Sequence, residues 1–183
     1  MGNENQSEEE WFVVYARSEK KIEQALNSDD FSMHYFIPKH YTLRTYHGKK
    51  QRELVPLIPH LIFIRATYNQ VEAFHHNFFT DVSYVTRRLD GRRKILTVPE
   101  EQMNEFIELT KHYEEELLYF RPEEIHLDKG VRVRVIGGPF NGVVGTLMKV
   151  KGKRSKRIVV KINDVAAIAS AHIVPEFIEV IED

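Results

Sequence analysis

The sequence predicts an α+β domain followed by a small all-β barrel, and three observations support this prediction. Up to residue 118, helical segments alternate with hairpin-linked strands, which is typical of an antiparallel sheet with helices packed on it. After residue 128 only short strand segments follow. Between them, "YFRPEEIHL" indicates a linker, because it contains a proline and two acidic residues. The predicted organisation is an acidic tail at 1–10, a first domain at 11–118, a linker at 119–127 and a second domain at 128–183.

The first domain begins with a strand and a short helix. The segment "WFVVYA" at 11–16 is rich in β-branched and aromatic residues, as buried strands are. Ser18 is the expected N-cap of the helix that follows, in which Ile22, Ala25 and Leu26 share one face.

Extended segments follow the first helix. "HYFIP" and "HYTLRTY" are extended because Pro38 prevents a helix from running through them. Gly48 marks a turn, from which the chain returns through "RELVPLIP". "LIFIRA" at 61–66 is a further apolar strand.

Two helices and a hairpin complete the first domain. The strands "VSYVTRR" and "KILTV" flank Asp90-Gly91, a pair that favours a tight hairpin turn. Asn69 is the expected cap of the second helix, and Pro99 is expected to begin the third. The residues expected to point inward from these helices are Val71, Phe74 and Phe78 in the second and Met103, Phe106, Ile107 and Thr110 in the third.

The second domain is expected to contain only strands. A small barrel would close them, because closure removes exposed sheet edges. Gly137 and Gly138 can adopt positive φ at a barrel corner, whereas Gly142 and Gly145 would let the second strand coil tightly against the first. The glycines could form only a barrel corner, but Phe140 is predicted at an exposed loop tip, where an aromatic side chain often marks a contact. The expected strands are at about 131–136, 143–150, 157–162, 166–173 and 177–181.

The composition excludes several classes of protein. The 183 residues include no cysteine, which excludes disulfides, thiol catalysis and cysteine-ligated zinc. No window has the ~18 apolar residues that a membrane span needs, and the acidic N-terminus lacks the apolar core of a signal peptide. We therefore expect a soluble cytoplasmic protein without a membrane partner.

The sequence contains no catalytic or metal-binding pattern that we recognise. His75 and His76 are adjacent, but neighbouring residues of a helix point about 100° apart, which makes a poor metal clamp. No phosphate-binding loop or nucleophile-elbow motif is present. We expect no metal, no cofactor and no enzymatic activity.

Charge is unevenly distributed, although the formal net charge is only −1. Residues 11–99 contain 14 Lys and Arg against 8 Asp and Glu, and residues 128–183 contain 10 against 6. Residues 100–127 contain 2 against 9. Two modules that approach a polyanion, separated by an acidic spacer, would have this pattern, and ordinary solvated surfaces are the alternative.

Two predicted hairpins concentrate the basic residues. Basic side chains at hairpin tips suit phosphate contacts, which position a nucleic acid without reading its sequence. "RRLDGRR" places Arg87, Arg88, Arg92 and Arg93 around one turn, and "KGKRSKR" places Lys153, Arg154, Lys156 and Arg157 at another.

The segment "DKGVRVRVIGGPFNGVVGTLMKV" resembles the KOW motif of NusG-type transcription elongation factors and of some ribosomal proteins. The N-terminal half resembles the NGN domain of the NusG family. Trp11 with "FVVYARSEKK" is similar to its first strand and helix, and "GKKQRELVPLIPHLIFIRA" is similar to its Gly-Lys-Lys loop and the proline-marked strand that follows. Within the family, "FIPKHY" and "VAAIASAHIVPEFIEVI" are most similar to the UpxY group of antiterminators, which are linked to surface-polysaccharide operons. The residues that match the KOW motif are Gly138, Pro139, Phe140, Gly142 and Gly145.

The resemblance implies an NGN domain followed by an SH3-like KOW barrel, and it implies partners. The β′ clamp helices of RNA polymerase would dock on an apolar depression of the NGN sheet, where Leu61 and Phe63 lie in the matching strand. Either residue could instead pack in the core. Arg17, Lys20 and Lys21 match residues that approach the non-template DNA strand, although they could also be a solvated helix start. The KOW barrel would contact nascent RNA or a protein partner.

Two departures from the family pattern favour a specialised factor. Pro59-His60-Leu61 stands where many members have Pro-Gly-Tyr. Asn163-Asp164-Val165 stands where housekeeping members have Phe-Gly-Arg, in the loop that binds the termination factor Rho or a ribosomal protein, and both partners are therefore doubtful. We expect a monomeric transcription elongation and antitermination factor that binds RNA polymerase. The alternative is a KOW-type RNA-binding protein that acts on ribosomes or leader RNA without polymerase.

Overall fold

The chain forms two compact units, each of which is built from two separate stretches of the chain. The first unit comprises the chain up to Ile37 together with Ile58–Glu100, and the second comprises Pro38–Leu57 and the chain from Glu101 onward. The computed structural model describes residues 8–112, 117–120, 124, 126, 130–150, 152, 154–162, 165–172 and 175–181.

The first unit contains a five-stranded antiparallel sheet with the order β2-β5-β1-β6, in which β9 also pairs with β1. Strands β6 and β9 pair with successive parts of one edge of β1, and β5 pairs with the other edge. The elements of this unit are β1 (Glu10–Ala16), α1 (Glu19–Leu26), β2 (His34–Phe36), β5 (Leu61–Ala66), α2 (Tyr68–Asn77), β6 (Val82–Tyr84), β7 (Thr86–Leu89), β8 (Arg92–Ile95) and β9 (Thr97–Val98).

One face of β1 and β5 forms the main core of the first unit with the two helices. Alternate residues of a strand point to the same face, so Phe12, Val14 and Ala16 of β1 lie with Ile62, Ile64 and Ala66 of β5. The helices contribute Ile22, Leu26, Val71 and Phe74 to the same cluster. The prediction of inward-facing apolar stripes on both helices is confirmed.

The helix caps differ in part from the sequence prediction. Ser18 occupies the N-cap position of α1, but its side chain makes no capping hydrogen bond. The cap of α2 is Thr67 and not the predicted Asn69, because Thr67 and Gln70 form a reciprocal capping box. Asn69 therefore lies inside the helix.

The predicted hairpin around Asp90-Gly91 is confirmed, with φ of 51° and 75° at the two turn residues. Positive φ at both central positions is characteristic of the tight turn that matches strand twist. Only β7 and β8 pair with each other, whereas β6 and β9 diverge and both pair with β1. At the point of divergence the Val85 amide donates to Val13 O at 2.9 Å, and the Val13 amide donates to Leu96 O at 3.2 Å.

The second unit contains a two-stranded ribbon, a helix and a six-stranded antiparallel sheet with the order β10-β14-β13-β12-β11-β15. The predicted α+β class is confirmed by three helices and antiparallel sheets. Closure of the six strands into an SH3-like barrel stays a prediction. The elements are β3 (Lys39–Tyr46), β4 (Lys49–Pro56), α3 (Glu100–Thr110), β10 (Leu118–Phe120), β11 (Val131–Val135), β12 (Val144–Lys149), β13 (Lys156–Ile162), β14 (Ala166–His172), a 3-10 helix (Pro175–Phe177) and β15 (Ile178–Val180).

Strand β10 belongs to the six-stranded sheet, although the sequence places its last two residues in the linker. Leu118 pairs with Ala169 and Phe120 pairs with Ala167 in an antiparallel ladder. Leu118 and Phe120 also pack against the buried Met148, Val150 and Val159. The apolar residues before the proline of the linker therefore extend the sheet.

The glycines of the "GGPFNGVVG" stretch have different roles. Gly138 and Gly142 have φ of 67° and 89°. The sequence analysis also predicted positive φ at Gly137, but Gly137 does not adopt it. Gly145 is required by close packing, because a Cβ there would lie 2.6 Å from Ile158 Cγ2. At Gly145 the tight approach is therefore to β13, whereas the sequence analysis predicted that this glycine packs against the first strand of the sheet.

In the described residues, no helix is both long and apolar enough to cross a membrane.

The contribution of β10 predicts a difference between two fragments of the chain. Both 117–183 and 128–183 should give β-rich far-UV circular dichroism spectra, because the described residues after 130 form five strands and one 3-10 turn but no α-helix. Fragment 117–183 should unfold at a higher urea concentration, since burying part of the Leu118 and Phe120 side chains contributes about 2 kcal/mol together. Equal midpoints, or a helical spectrum for either fragment, would contradict this assignment.

Candidate functional site

One face of the first sheet is apolar and ends in an exposed aromatic residue. Leu61 pairs with Tyr15 and Phe63 pairs with Val13, so these four side chains share the face opposite the main core. Phe63 and Val13 are fully buried, and Leu61 is 9% exposed. The expectation that Phe63 presents its side chain to a partner is therefore wrong for this conformation. The physical reason is that β5 is an interior strand that is buried on both faces.

The exposed residue on this face is Tyr15, which the sequence analysis did not identify. Its side chain is 46% exposed, and its ring lies 5.1 Å from the His60 ring. His60 has a φ of 66°, its amide donates to the Glu19 carboxylate, and its Nδ1 lies 3.1 Å from Ala16 O. These bonds hold His60 in a left-handed conformation that is uncommon for a residue with a side chain. From the sequence, "WFVVYA" indicates a buried strand and nothing more. The register of β1 with β5 shows that Tyr15 lies at the exposed end of the apolar face.

The start of α1 presents basic side chains, as expected, but one of them is paired. Arg17 and Lys20 are exposed. Lys21 Nζ lies 2.7 Å from Asp81 Oδ2. The hydrogen bond from Lys21 is the main reason that the pKa of the Asp81 carboxyl is lowered, and the charge of Lys21 adds to the effect. Lys21 is therefore partly neutralised, and Arg17 and Lys20 are the stronger candidates for contact with a polyanion.

The β7–β8 hairpin displays the predicted arginines and a further lysine. Arg88 lies directly opposite Arg93, and Arg87 lies directly opposite Lys94. All these residues and Arg92 are exposed. Like charges directly opposite each other destabilise an antiparallel pair, so this surface is not optimised for the stability of the hairpin alone. Lys94 completes the basic patch, and the "GRRK" run was the available signal for it.

The second basic hairpin provides fewer exposed charges than predicted. Lys153 lies outside the described residues. Arg154 and Lys156 are exposed, as expected. Arg157 is only 5% exposed, so its predicted role in phosphate binding is wrong. Its guanidinium Nη1 donates to Ser170 O at 2.6 Å within the sheet.

Arg157 is buried because β13 and β14 are out of regular register at this point. Arg157 pairs with His172 and Val159 pairs with Ala169, which leaves an extra residue in β14 opposite Ile158. The Ile158 amide donates to Ser170 Oγ at 3.1 Å. Side chains therefore satisfy the two backbone groups that the bulge removes from the ladder, namely the Ile158 N–H and the Ser170 C=O.

Phe140 of the KOW-like motif is buried, whereas the sequence analysis predicted it at an exposed loop tip. It is 2% exposed, and its ring lies 5.0 Å from the His112 ring in an edge-to-face arrangement. Gly138, Pro139 and Gly142 are exposed around it. In this conformation Phe140 holds the turn by packing inward and is not available to a partner.

Among the described residues, no group of three or more His, Asp or Glu side chains could hold a metal ion. The first unit combines an antiparallel sheet packed against two helices, an apolar face with an exposed aromatic end and a strongly basic hairpin. The family described as "Transcription termination factor nusG" matches residues 9–107, which is more than half of the chain. The chain therefore belongs to the NusG family, whose members are non-enzymatic transcription factors that bind RNA polymerase. None of the curated proteins matches it significantly.

The buried role of Arg157 predicts a difference between two neighbouring cations. Arg157→Met should destabilise the second unit by roughly 1–3 kcal/mol, because it leaves the Ser170 carbonyl of the bulge without this donor. Lys156→Met, at an exposed position of the same strand, should change stability by less than about 0.5 kcal/mol. Urea unfolding followed by circular dichroism measures both, and equal effects would contradict the structural role of Arg157.

The Lys21–Asp81 pair predicts that removing the acid strengthens binding to a polyanion. Asp81→Asn should release the Lys21 ammonium and steepen the log–log salt dependence of binding to single-stranded DNA by up to about 0.7. Stability should change little, because exposed ion pairs contribute little to it. Asp30→Asn is the matched control, since it changes the net charge equally at another exposed position. An identical change in slope for both variants would show that net charge alone is responsible.

Proposed function

We propose that this protein is a NusG-like transcription elongation and antitermination factor that docks on the β′ clamp helices of RNA polymerase. The observation that supports this proposal best is the apolar face of β1 and β5, which ends in the exposed Tyr15 beside Leu61. A partner helix binds to such a surface by placing its own apolar residues against an aromatic anchor. Phe63 and Val13 lie on the same face but are fully buried, so the exposed part of this face is Tyr15.

Docking of this kind acts on a conformational equilibrium and involves no bond chemistry. A factor that bridges the clamp stabilises the closed polymerase only to the extent that it binds the closed state better than the open one. Because clamp opening accompanies pausing and termination, such a factor promotes processive transcription.

The basic residues of the first unit would hold nucleic acid near the docked polymerase. The exposed Arg17 and Lys20 would face the non-template DNA strand, with Lys21 contributing less because of its bond to Asp81. Phosphate contacts of this type fix the position of the protein without reading the sequence. The hairpin residues proposed for the same role are Arg87, Arg88, Arg92, Arg93 and Lys94.

The second domain is proposed to be a KOW module that contacts nascent RNA or a protein partner. Arg154 and Lys156 are exposed and suit RNA phosphates. Of the segment that replaces Phe-Gly-Arg, Asn163 and Asp164 lie outside the described residues, and its sequence argues against Rho and the ribosomal protein as partners. We place the protein in the UpxY group, as a cytoplasmic monomer without a cofactor that acts on surface-polysaccharide operons.

Tyr15→Ala tests the docking surface. The variant should weaken binding to isolated β′ clamp helices by about tenfold, because truncating an aromatic anchor at an interface commonly costs 1–2 kcal/mol or more. Phe79→Ala is the control, since Phe79 is 70% exposed in the turn after α2. Phe63→Asp is a less useful variant, because a charge at this buried position would destabilise the sheet itself. Equal affinities for Tyr15→Ala and the wild type would place the docking site elsewhere.

The alternative function is RNA binding without polymerase, and it predicts different co-purification partners and a different salt dependence in a cell extract. A polymerase-bound factor that docks through an apolar surface should co-purify with core RNA polymerase at high salt, because apolar contacts are not screened. An RNA-binding protein should instead co-purify with ribosomes or leader RNA and be released as salt increases.

A further inference from the structure

His60 lies in the turn that precedes β5, and its backbone conformation is unusual for a residue with a side chain. The Leu61 amide donates to Ile58 O at 3.4 Å, which closes a four-residue turn with Pro59 second and His60 third. Proline at the second position and a positive φ at the third are characteristic of a type II turn, which favours glycine or asparagine at the third. The φ of His60 is 66°, so the turn alone does not call for a histidine.

Hydrogen bonds fix His60 against the end of β1 and the start of α1. The Ala16 amide donates to His60 O at 2.7 Å, and His60 Nδ1 lies 3.1 Å from Ala16 O. The His60 amide donates to the carboxylate of Glu19, the first residue of α1. Because a carbonyl oxygen can only accept, the bond to Ala16 O places the imidazole proton on Nδ1. This bond orients the imidazole ring.

The oriented imidazole ring lies beside Tyr15, the exposed end of the apolar face. The centres of the two rings are 5.1 Å apart, and the ring planes are inclined by 40°. Within the sheet, Tyr15 pairs with Leu61 on one side and with Ser83 on the other. Ser83 is exposed and has a small side chain, so it cannot hold a large ring in place. His60 therefore supplies a ring contact that limits the movement of a side chain that is 46% exposed.

We propose that His60 is a positioning residue of the docking surface, and that it holds the Tyr15 ring in the orientation that the partner helix binds. Ordering one exposed side chain at an interface weakens binding by about twofold to tenfold. A ring that is already fixed in the free protein avoids most of this loss. The inference rests on the proposed function, because it assigns a role within the same docking surface.

A purely structural role does not account for a histidine at this position. Glycine adopts positive φ without the steric cost of a side chain, and asparagine adopts it more readily than most residues. Asparagine can also donate a hydrogen bond from its side-chain amide, as Nδ1 does here. Neither residue has a ring that could pack on Tyr15. Backbone strain that the fold does not require is typical of functional sites.

The test uses His60→Asn in the full chain, with His47→Asn as the matched control. His47 is also a histidine with positive φ, 48°, and it is exposed in the turn of the β3–β4 ribbon. His60→Asn should weaken binding to isolated β′ clamp helices by about threefold to tenfold, because the Tyr15 ring is no longer held. Its urea midpoint should not fall below that of the wild type. His47→Asn should leave the affinity unchanged.

A double variant separates positioning from direct contact with the partner. If His60 acts through Tyr15, His60→Asn should have no further effect on affinity once Tyr15 is replaced by alanine, since the two residues then form one coupled unit. Additive effects of the two substitutions would show that His60 contacts the partner itself, and would overturn the positioning role.

The remaining outcomes also overturn the inference, and they separate it from the proposed function. Wild-type affinity of His60→Asn would show that the Tyr15 ring needs no support. A lower urea midpoint for both His60→Asn and His60→Gly would assign His60 to stability alone. If Tyr15→Ala retains wild-type affinity, the docking surface itself is wrong. If Tyr15→Ala weakens binding and His60→Asn does not, only the role of His60 is wrong.

Discussion

The antiparallel pairing of β1 with β5 is the constraint on which the first unit depends. The two strands pair over six residue positions, from Glu10 with Ala66 to Tyr15 with Leu61. Both strands are apolar on both faces, so this one register simultaneously forms the main core with the helices and an apolar surface on the other side. A slip by one residue would exchange the two faces of each strand. The core, the junction with β6 and β9 and the exposed position of Tyr15 are all consequences of the same register.

Local backbone geometry, and not residue type, determines which cations of this chain are buried and which are exposed. Arg88 and Arg157 are both strand arginines in basic runs, yet one is exposed and the other is buried. Arg88 belongs to a regular two-residue hairpin, and its side chain is exposed. Arg157 lies beside a bulge, where its guanidinium donates to the Ser170 carbonyl. A buried guanidinium costs free energy unless hydrogen bonds compensate it, and the bulge provides one of those bonds.

This difference explains how much of the structure and of the site the sequence could predict. Strand positions, helix faces and the Asp90-Gly91 turn follow from residue patterns within about ten positions, and those predictions agree with the structure. The burial of Arg157 and Phe140 depends on Ser170 and His112, which are distant along the chain. The exposure of Tyr15 depends on its position at the end of the β1–β5 ladder. Local patterns contain no information on such long-range contacts.

The two-stranded β3–β4 and β7–β8 ribbons are the exception, because the arrangement of their surface side chains is determined locally. Each is closed by a two-residue turn whose central residues both have positive φ, at His47-Gly48 and at Asp90-Gly91. The turn sets the register of both strands, and the register determines which cations face each other. Because neither ribbon pairs with a further strand among the described residues, changes in its charges leave the sheet cores intact. The positions of these charges are therefore set by the local sequence of each hairpin, whereas the position of Arg157 is set by a hydrogen bond within the second sheet.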